Sequence, residues 1–320
     1  GSTPSAFFIV LREDRCNTMS FAVLIVLLLS HSVKKNTAGD LTTSKHPSFV
    51  GEKYWTANNL DLCENMGRSN DSLFCYSHII NYQWLNVEVL SEDPILIIYR
   101  DFAPEKFVAD FLSDARQRYL ESQKVVDMDN TKGETYKTSS SRIANGTWMD
   151  HEETMAVAKM FKRAKMMLPA IDFQYCERWQ ILSYSPGGHY APHYDYFEYK
   201  SSEQWDQWYK NSGNRFATFF LMLQPATRGG GTVFPNLNVS VKASAGDAVF
   251  WTNMDATESK AIKSIHGGCT VWEGEKLAAT LWIRSKHQQL LHAPLQSGRF
   301  DIEKLIHPRL EFIGVTRVNP

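Results

Sequence analysis

The sequence predicts an α+β fold, with two amphipathic helices packed against a β-rich half of sandwich, barrel or jelly-roll type. Two observations carry this. Beyond Tyr175, short apolar segments alternate with Gly, Pro and Asn turns at 178–184, 190–196, 215–224, 231–234, 248–251, 262–266 and 277–284. That is the spacing of a sheet-based core. Upstream, two stretches space their apolar residues as helices do. The chain has 320 residues, 43% of them hydrophobic and 22% charged, which is material for one large domain or two small ones. A net charge of −1 provides no global field to recruit nucleic acid or an anionic membrane. Nine Trp and thirteen Tyr suit a β-rich core or a peptide groove.

Residues 1–18 do not open with Met and read as an upstream remnant outside the fold. Residues 19–32, MSFAVLIVLLLSHS, hold nine consecutive apolar residues followed by small residues spaced as at a cleavage site. This is the core of a signal peptide and is too short to cross a bilayer, so no membrane span is expected. Residues 33–92 read as a lead-in without a defined element. In an oxidising lumen Cys63 and Cys75 would close a small loop as a disulfide, leaving Cys176 and Cys269 beside Cys16. Asn70 (NDS), Asn145 (NGT) and Asn238 (NVS) open N-glycosylation sequons.

The segment 93–174 begins with an apolar strand at 94–99. Ala103-Pro104 then starts a helix in which Phe107, Val108, Phe111, Leu112 and Tyr119 fall near helical spacing. Residues 122–150 look extended, with Gly133 and Gly146 as turns. A second helix over 152–168 carries Met155, Val157, Ala158, Phe161 and Met166 as a core-packing stripe and stops at Pro169. Residues 175–286 form the β core, and 287–320 form a tail.

The chemistry concentrates in 184–197, YSPGGHYAPHYDYF. His193 and Asp195 lie two apart in a β-favouring context, and residues i and i+2 of a strand share a face. An imidazole beside a carboxylate is two thirds of the 2-His-1-carboxylate set that binds ferrous iron and leaves positions open. Such a pair alone also reads as an ordinary hydrogen-bonded surface pair. His266 supplies a third ligand, and Lys276 follows ten residues later in a strand-like context. His189, four residues before His193, reads as a groove or surface residue. The glycines at 229–231 read as a tight strand connection; no Lys-Ser/Thr follows to make a phosphate loop.

The order His-x-Asp, a long gap, His, then Lys resembles the Fe(II)/2-oxoglutarate dioxygenases, and specifically the prolyl 4-hydroxylase catalytic domain of collagen type. The similarity is carried by YSPGGHYAPHYDYF, GNRFATFFLML, GGGTVFPNL, GDAVFW and HGGCTVWEGEKLAATLW. It extends loosely upstream to LDLCENMGRSNDSLFCY. The resemblance implies a double-stranded β-helix (jelly roll) core with supporting N-terminal helices. It implies His193, Asp195 and His266 as ligands of Fe(2+), and Lys276 as partner of the distal carboxylate of 2-oxoglutarate. Related lysyl and prolyl 3-hydroxylases usually carry Arg there, so Lys276 favours the collagen-type branch. Tyr184 and Thr218 match hydroxyls that help hold the co-substrate. Tyr190 and Trp282 match aromatic walls of the peptide groove, where a flat ring suits proline in a polyproline II peptide. Core packing is the competing reading, more so for Trp251.

The implied reaction consumes O2 and 2-oxoglutarate, releases succinate and carbon dioxide, and places a hydroxyl on C4 of proline in X-Pro-Gly sequences. L-ascorbate would keep the iron reduced. The alternatives are a prolyl hydroxylase of other secreted proteins and a non-catalytic collagen-binding module. The short stretch ahead of residue 94 departs from the collagen enzyme and puts tight binding of long proline tracts in doubt, with assembly onto protein disulfide isomerase. A late cysteine to partner Cys269 is missing, so Cys269 pairs with Cys176 or both are free. The ending Arg317-Val318-Asn319-Pro320 is not a retention signal, so the expected location is the endoplasmic reticulum lumen, held by a partner, or outside the cell.

Overall fold

The computed structural model describes residues 11–13, 46–65, 74–129 and 133–307. The expected signal peptide and the Asn70 sequon lie outside the described residues. Two antiparallel sheets form the body. The larger has ten strands in the order Leu11–Glu13, Phe74–Ile80, Gln83–Glu92, Ile95–Arg100, Ala248–Thr252, Arg215–Gln224, Lys276–Arg284, Trp179–Tyr184, Asn145–Met149, Glu121–Ser122. The smaller has five: Val239–Val241, Thr232–Phe234, His266–Gly268, His189–His193 and Arg142–Ile143. From Ile95–Arg100 onward, neighbours in the large sheet are far apart in sequence, as a jelly roll requires.

The central strand Lys276–Arg284 shows how the layers are built. All nine residues are buried, and alternation sends them to two different cores. Leu277, Ala279, Leu281 and Ile283 join the main cluster with Val108, Phe111, Val157 and Met160 of the helices Glu105–Arg116 and Met155–Met167. Ala278 faces the other way, with Phe220, Phe234 and Trp251 between the two sheets. Lys276 and Trp282 share that inner face by the same period of two. The helices therefore cover the outside of the large sheet, and the space between the sheets is left for chemistry.

Local chemistry sets the helix starts. Pro104 occupies the N-cap of Glu105–Arg116, and Thr154 accepts from Val157 N at 3.2 Å to cap Met155–Met167. The buried stripe of the second helix is Val157, Met160, Ala164 and Met167; Met155 is 72% exposed. Of the expected stripe, Val157 is buried and Phe161 packs against the core, whereas Met155 and Met166 are exposed. Gly229 and Gly230 adopt φ of 78° and 71°, and a Cβ on Gly229 would come 2.2 Å from Thr270 O. The glycine run is thus a tight connection, as expected.

Four expectations are corrected. The lead-in is structured: the helix Ala57–Glu64 and the hairpin Phe74–Ile80/Gln83–Glu92 belong to the fold, and Leu11–Glu13 pairs with the hairpin's edge. Leu85, Val87 and Val89 alternate inward, a period-two pattern visible in QWLNVEV. The tail is partly core, since Leu290, Leu305 and Ile306 are buried in the main cluster. The segment 262–266 is a 3-10 turn, Ile262–Ser264, followed by a strand that starts at His266. Finally, the disulfide joins Cys63 to Cys269, not to Cys75. Cys63 and Cys269 meet in a small cluster with Trp55, Ala191 and Val233, whereas Cys75 lies in the strand Phe74–Ile80 near the far edge of the large sheet and is disulfide-bonded elsewhere. Cys176 is free and buried.

Candidate metal and co-substrate site

His193 ends the strand His189–His193 and lies directly opposite His266, the first residue of its own strand. Their ring centroids are 4.4 Å apart. The expected strand over 190–196 stops at His193, so Asp195 reaches the same space from the turn that follows. Its Oδ1 is 3.7 Å from His193 Nε2, and its Oδ2 is 3.5 Å from His266 Nε2. The three residues can each present a ligand atom with all of these within 4.8 Å, and they form the group with metal-binding geometry among the described residues.

The surroundings fix the ligand atoms. His193 Nδ1–H donates to Ala191 O at 2.9 Å and His266 Nδ1–H donates to Ser264 O at 3.0 Å. Each Nε2 is thereby left as a lone pair facing Asp195. Burial, with His266 alongside, pushes His193 down to about 3, so it is neutral and able to ligate. Burial opposes the charge of Asp195, but His266, His193 and Arg215 outweigh it and hold the carboxyl at about 2. Thr218 Oγ1–H donates to Asp195 Oδ2 at 2.8 Å and accepts from Asn253 Nδ2 at 2.9 Å. The Thr218 hydroxyl, expected to touch the co-substrate, orients the carboxylate here. Sequence reasoning missed Asn253, because nothing local marks it.

Lys276 is paired with Tyr184 across two strands. Its Nζ lies 5.5 Å from the Tyr184 ring and 5.3 Å from the Phe220 ring. No hydrogen bond or ion pair satisfies it among the described residues, and burial lowers it to about 8. Burial raises Tyr184 to about 12, so it remains a neutral phenol. Tyr190 stacks on His193 at 3.6 Å between ring centroids, and the Arg142 guanidinium carbon lies 4.5 Å from the Tyr190 ring centre. Trp282 lies under Arg215, whose guanidinium carbon is 3.5 Å from the ring centroid. Arg215 is held in turn by Glu177 at 2.7 and 2.8 Å.

Trp251 packs on His266 at 4.6 Å and is core. His189 is fully buried, with ring nitrogens 3.2 Å from Gly187 O and 3.0 Å from Ser140 O. It is a satisfied core histidine and not a groove residue. Asn145 and Asn238 are both exposed, the latter in a left-handed turn at φ 55°.

A model of the 2OG-Fe(II) oxygenase superfamily matches residues 179–284, the stretch that holds the metal-binding group, Lys276, Tyr184, Tyr190, Thr218 and Trp282. Prolyl 4-hydroxylase 1 of Arabidopsis thaliana is 31% identical over 214 residues, which cover 62% of this chain and 72% of the plant protein. The chain belongs to the prolyl 4-hydroxylase family. Prolyl 4-hydroxylase subunit alpha-3 of Mus musculus is 29% identical over 239 residues, 71% of this chain but 42% of that subunit. Among solved structures, a viral collagen prolyl hydroxylase from Paramecium Bursaria Chlorella virus-1 is 24% identical, with a TM-score of 0.46, covering 59% of this chain and 95% of the viral one.

The residues fit the groups that this family uses. Two imidazoles, each with Nε2 turned toward the carboxylate, and one ionised carboxylate converge as ferrous iron requires. Lys276 is a buried cation without a counterion among the described residues, which a 2-oxoglutarate carboxylate would supply.

Proposed function

We propose that this chain hydroxylates C4 of peptidyl proline in procollagen-like X-Pro-Gly sequences. The single observation that carries the reading is the His193, Asp195, His266 group beside the unpaired, buried Lys276. Ferrous iron with 2-oxoglutarate and O2 supplies oxidative decarboxylation to succinate and carbon dioxide, with one oxygen atom delivered to the proline. His193 Nε2, His266 Nε2 and an Asp195 oxygen hold the metal, and L-ascorbate keeps it ferrous. Lys276 binds the distal carboxylate of the co-substrate, with Tyr184 as a neutral hydroxyl nearby. Thr218 keeps Asp195 aimed at the metal. Tyr190 and Trp282 line the peptide groove, with Arg142 and Arg215 stacked on their rings.

The Cys63–Cys269 bond supports a place in the endoplasmic reticulum lumen or outside the cell. No described helix is long and apolar enough to cross a membrane. Occupied Asn145 and Asn238 sequons would agree with that location. Protein disulfide isomerase is a proposed partner, tested by co-purification. In the main test, (Pro-Pro-Gly)n peptide is incubated with iron, ascorbate and 2-oxoglutarate. Succinate release and oxygen located on C4 by mass spectrometry are expected, with both abolished by His193→Ala. No turnover by the unsubstituted protein would sink the proposal. Turnover only of other secreted proline sequences in a peptide library would move the substrate away from collagen.

A further inference from the structure

His189 takes no part in the metal-binding group, yet it opens the strand that ends at His193. Its side chain is fully buried where three segments meet. From the segment ahead of the helix Ala57–Glu64, the Phe49 ring meets it edge to face at 5.0 Å and the Trp55 ring at 6.1 Å. Its Nε2 lies 3.0 Å from Ser140 O, in the stretch that leads into the strand Arg142–Ile143. Its Nδ1 lies 3.2 Å from Gly187 O, in the turn that precedes its own strand.

Two carbonyl oxygens thus face one imidazole, and a neutral ring has a single N–H to give. Burial lowers His189 below the ordinary histidine value, so the ring is neutral at pH 7 and serves one oxygen at a time. The two acceptors are not equivalent. Gly187 lies in a half-exposed turn, where water can serve its oxygen. Ser140 O is closed in by Gly51, at φ 93°, where a Cβ would stand 2.0 Å from this oxygen and 2.7 Å from His189 Nε2. An enclosed acceptor left without its donor costs more than one that water can reach. The proton therefore sits on Nε2 and is given to Ser140.

Strand register carries this bond to the site. His189 is opposite Ile143 and Tyr190 is opposite Arg142, while Ala191 N–H donates to Ser141 O at 2.7 Å. Holding Ser140 against His189 keeps the edge strand Arg142–Ile143 zipped to the strand of His193. In that arrangement the Arg142 guanidinium lies over Tyr190, and Tyr190 lies against His193. We infer that His189 is a positioning residue for the proline substrate: its Nε2–H bond to Ser140 O locks the edge strand that carries Arg142, and Gly51 closes the lock from outside. The inference rests on the proline-hydroxylase reading and adds to it a residue that touches neither metal nor substrate.

The test separates the two ring nitrogens. A glutamine amide nitrogen falls near the place of Nε2 and can donate to Ser140 O, whereas an asparagine amide ends near Nδ1 and reaches only Gly187 O. His189→Gln should therefore keep the unsubstituted KM for a (Pro-Pro-Gly)n peptide. His189→Asn and His189→Phe should raise it about fivefold or more, as for an enclosed carbonyl deprived of its donor. In each variant kcat and the KM for 2-oxoglutarate should change less than about twofold, since the junction holds neither a metal ligand nor Lys276. Gly51→Ala should raise the peptide KM as His189→Phe does, and the double variant should be little worse than either alone, because both break one contact. Thermal melting reads the cost in stability separately. A lower melting temperature with an unchanged peptide KM in His189→Asn and His189→Phe would make His189 a core residue only and overturn the proposal. So would His189→Gln behaving like His189→Asn, because the bond to Ser140 would then not be the one that matters. If the unsubstituted protein turns over no proline peptide, the hydroxylase reading fails, and hydrogen exchange decides the lock by itself. The Arg142 and Ala191 amides should exchange about fivefold or more faster in His189→Asn, and at the unsubstituted rate in His189→Gln. Equal exchange in all three proteins rejects the lock.

Discussion

Lys276 sits opposite Tyr184 on adjacent strands, 2% exposed and without a hydrogen bond or ion pair among the described residues. Burial lowers it to about 8, which gives two pH dependences of opposite sense. In the protein alone, the folded state disfavours the ammonium form. The penalty is complete below about 8 and fades as pH rises toward the unfolded value of ~10.4, so this group makes the empty protein more stable at high pH. Binding of 2-oxoglutarate needs the charged form. Its affinity should therefore be constant well below pH 8 and fall by up to about tenfold per pH unit above it, until the bound-state pKa is passed. Calorimetric titration of 2-oxoglutarate against the Mn(II)-loaded protein across this range reads the slope. A flat profile would show that another group holds the distal carboxylate. Substituting Lys276→Arg should flatten the fall, because guanidinium stays charged throughout.

At the scale of elements, the Cys63–Cys269 bond ties the helix Ala57–Glu64 to the strand that opens with His266, three residues from Cys269. It closes a loop with a sequence separation of 206. Loss of such a cross-link costs about 2–5 kcal/mol in small domains, mainly through the unfolded chain. Cys63→Ser should lower the melting temperature and weaken metal binding together, because the strand carrying His266 loses its anchor. Cys75→Ser should leave metal binding unchanged. Peptide mapping without reductant should recover a fragment joining residues 63 and 269; a 63–75 fragment would contradict the structure. The pairing was not legible in the chain because local spacing says little about distant strands. The local spacing offered Cys75 twelve residues away, whereas the true partner arrives only when the jelly roll closes. By contrast, the continuous apolar run Arg215–Gln224 and the helix start at Pro104 follow from near neighbours, and these were readable. His189 failed for the same reason as the disulfide: its acceptor Ser140 O comes from a segment 49 residues upstream.

For the whole molecule, the metal and co-substrate ligands come from three separate strands and a turn, and they meet only in the folded chain. The convergence of His193, Asp195 and His266 was legible because ordered motifs record side chains that meet in space, and the proposed role of Lys276 rests on the same motifs. Asn253 and Glu177 act one contact further away, on Thr218 and Arg215, and leave no local pattern. A site assembled in this way couples ligand binding to global stability. Ligand at a hundred times its Kd adds about 2.7 kcal/mol to the folded state. For a domain of this size that corresponds to a rise of roughly 5–10 °C in melting temperature. Anaerobic melting with Mn(II) alone, and then with Mn(II) and 2-oxoglutarate, should give two successive increases. His193→Ala should remove both, because the co-substrate chelates the metal that this residue helps hold. Lys276→Ala should keep the first increase and lose most of the second. If Lys276→Ala lost both steps, its effect would be on folding, and the assignment of Lys276 to the co-substrate carboxylate would fall with it.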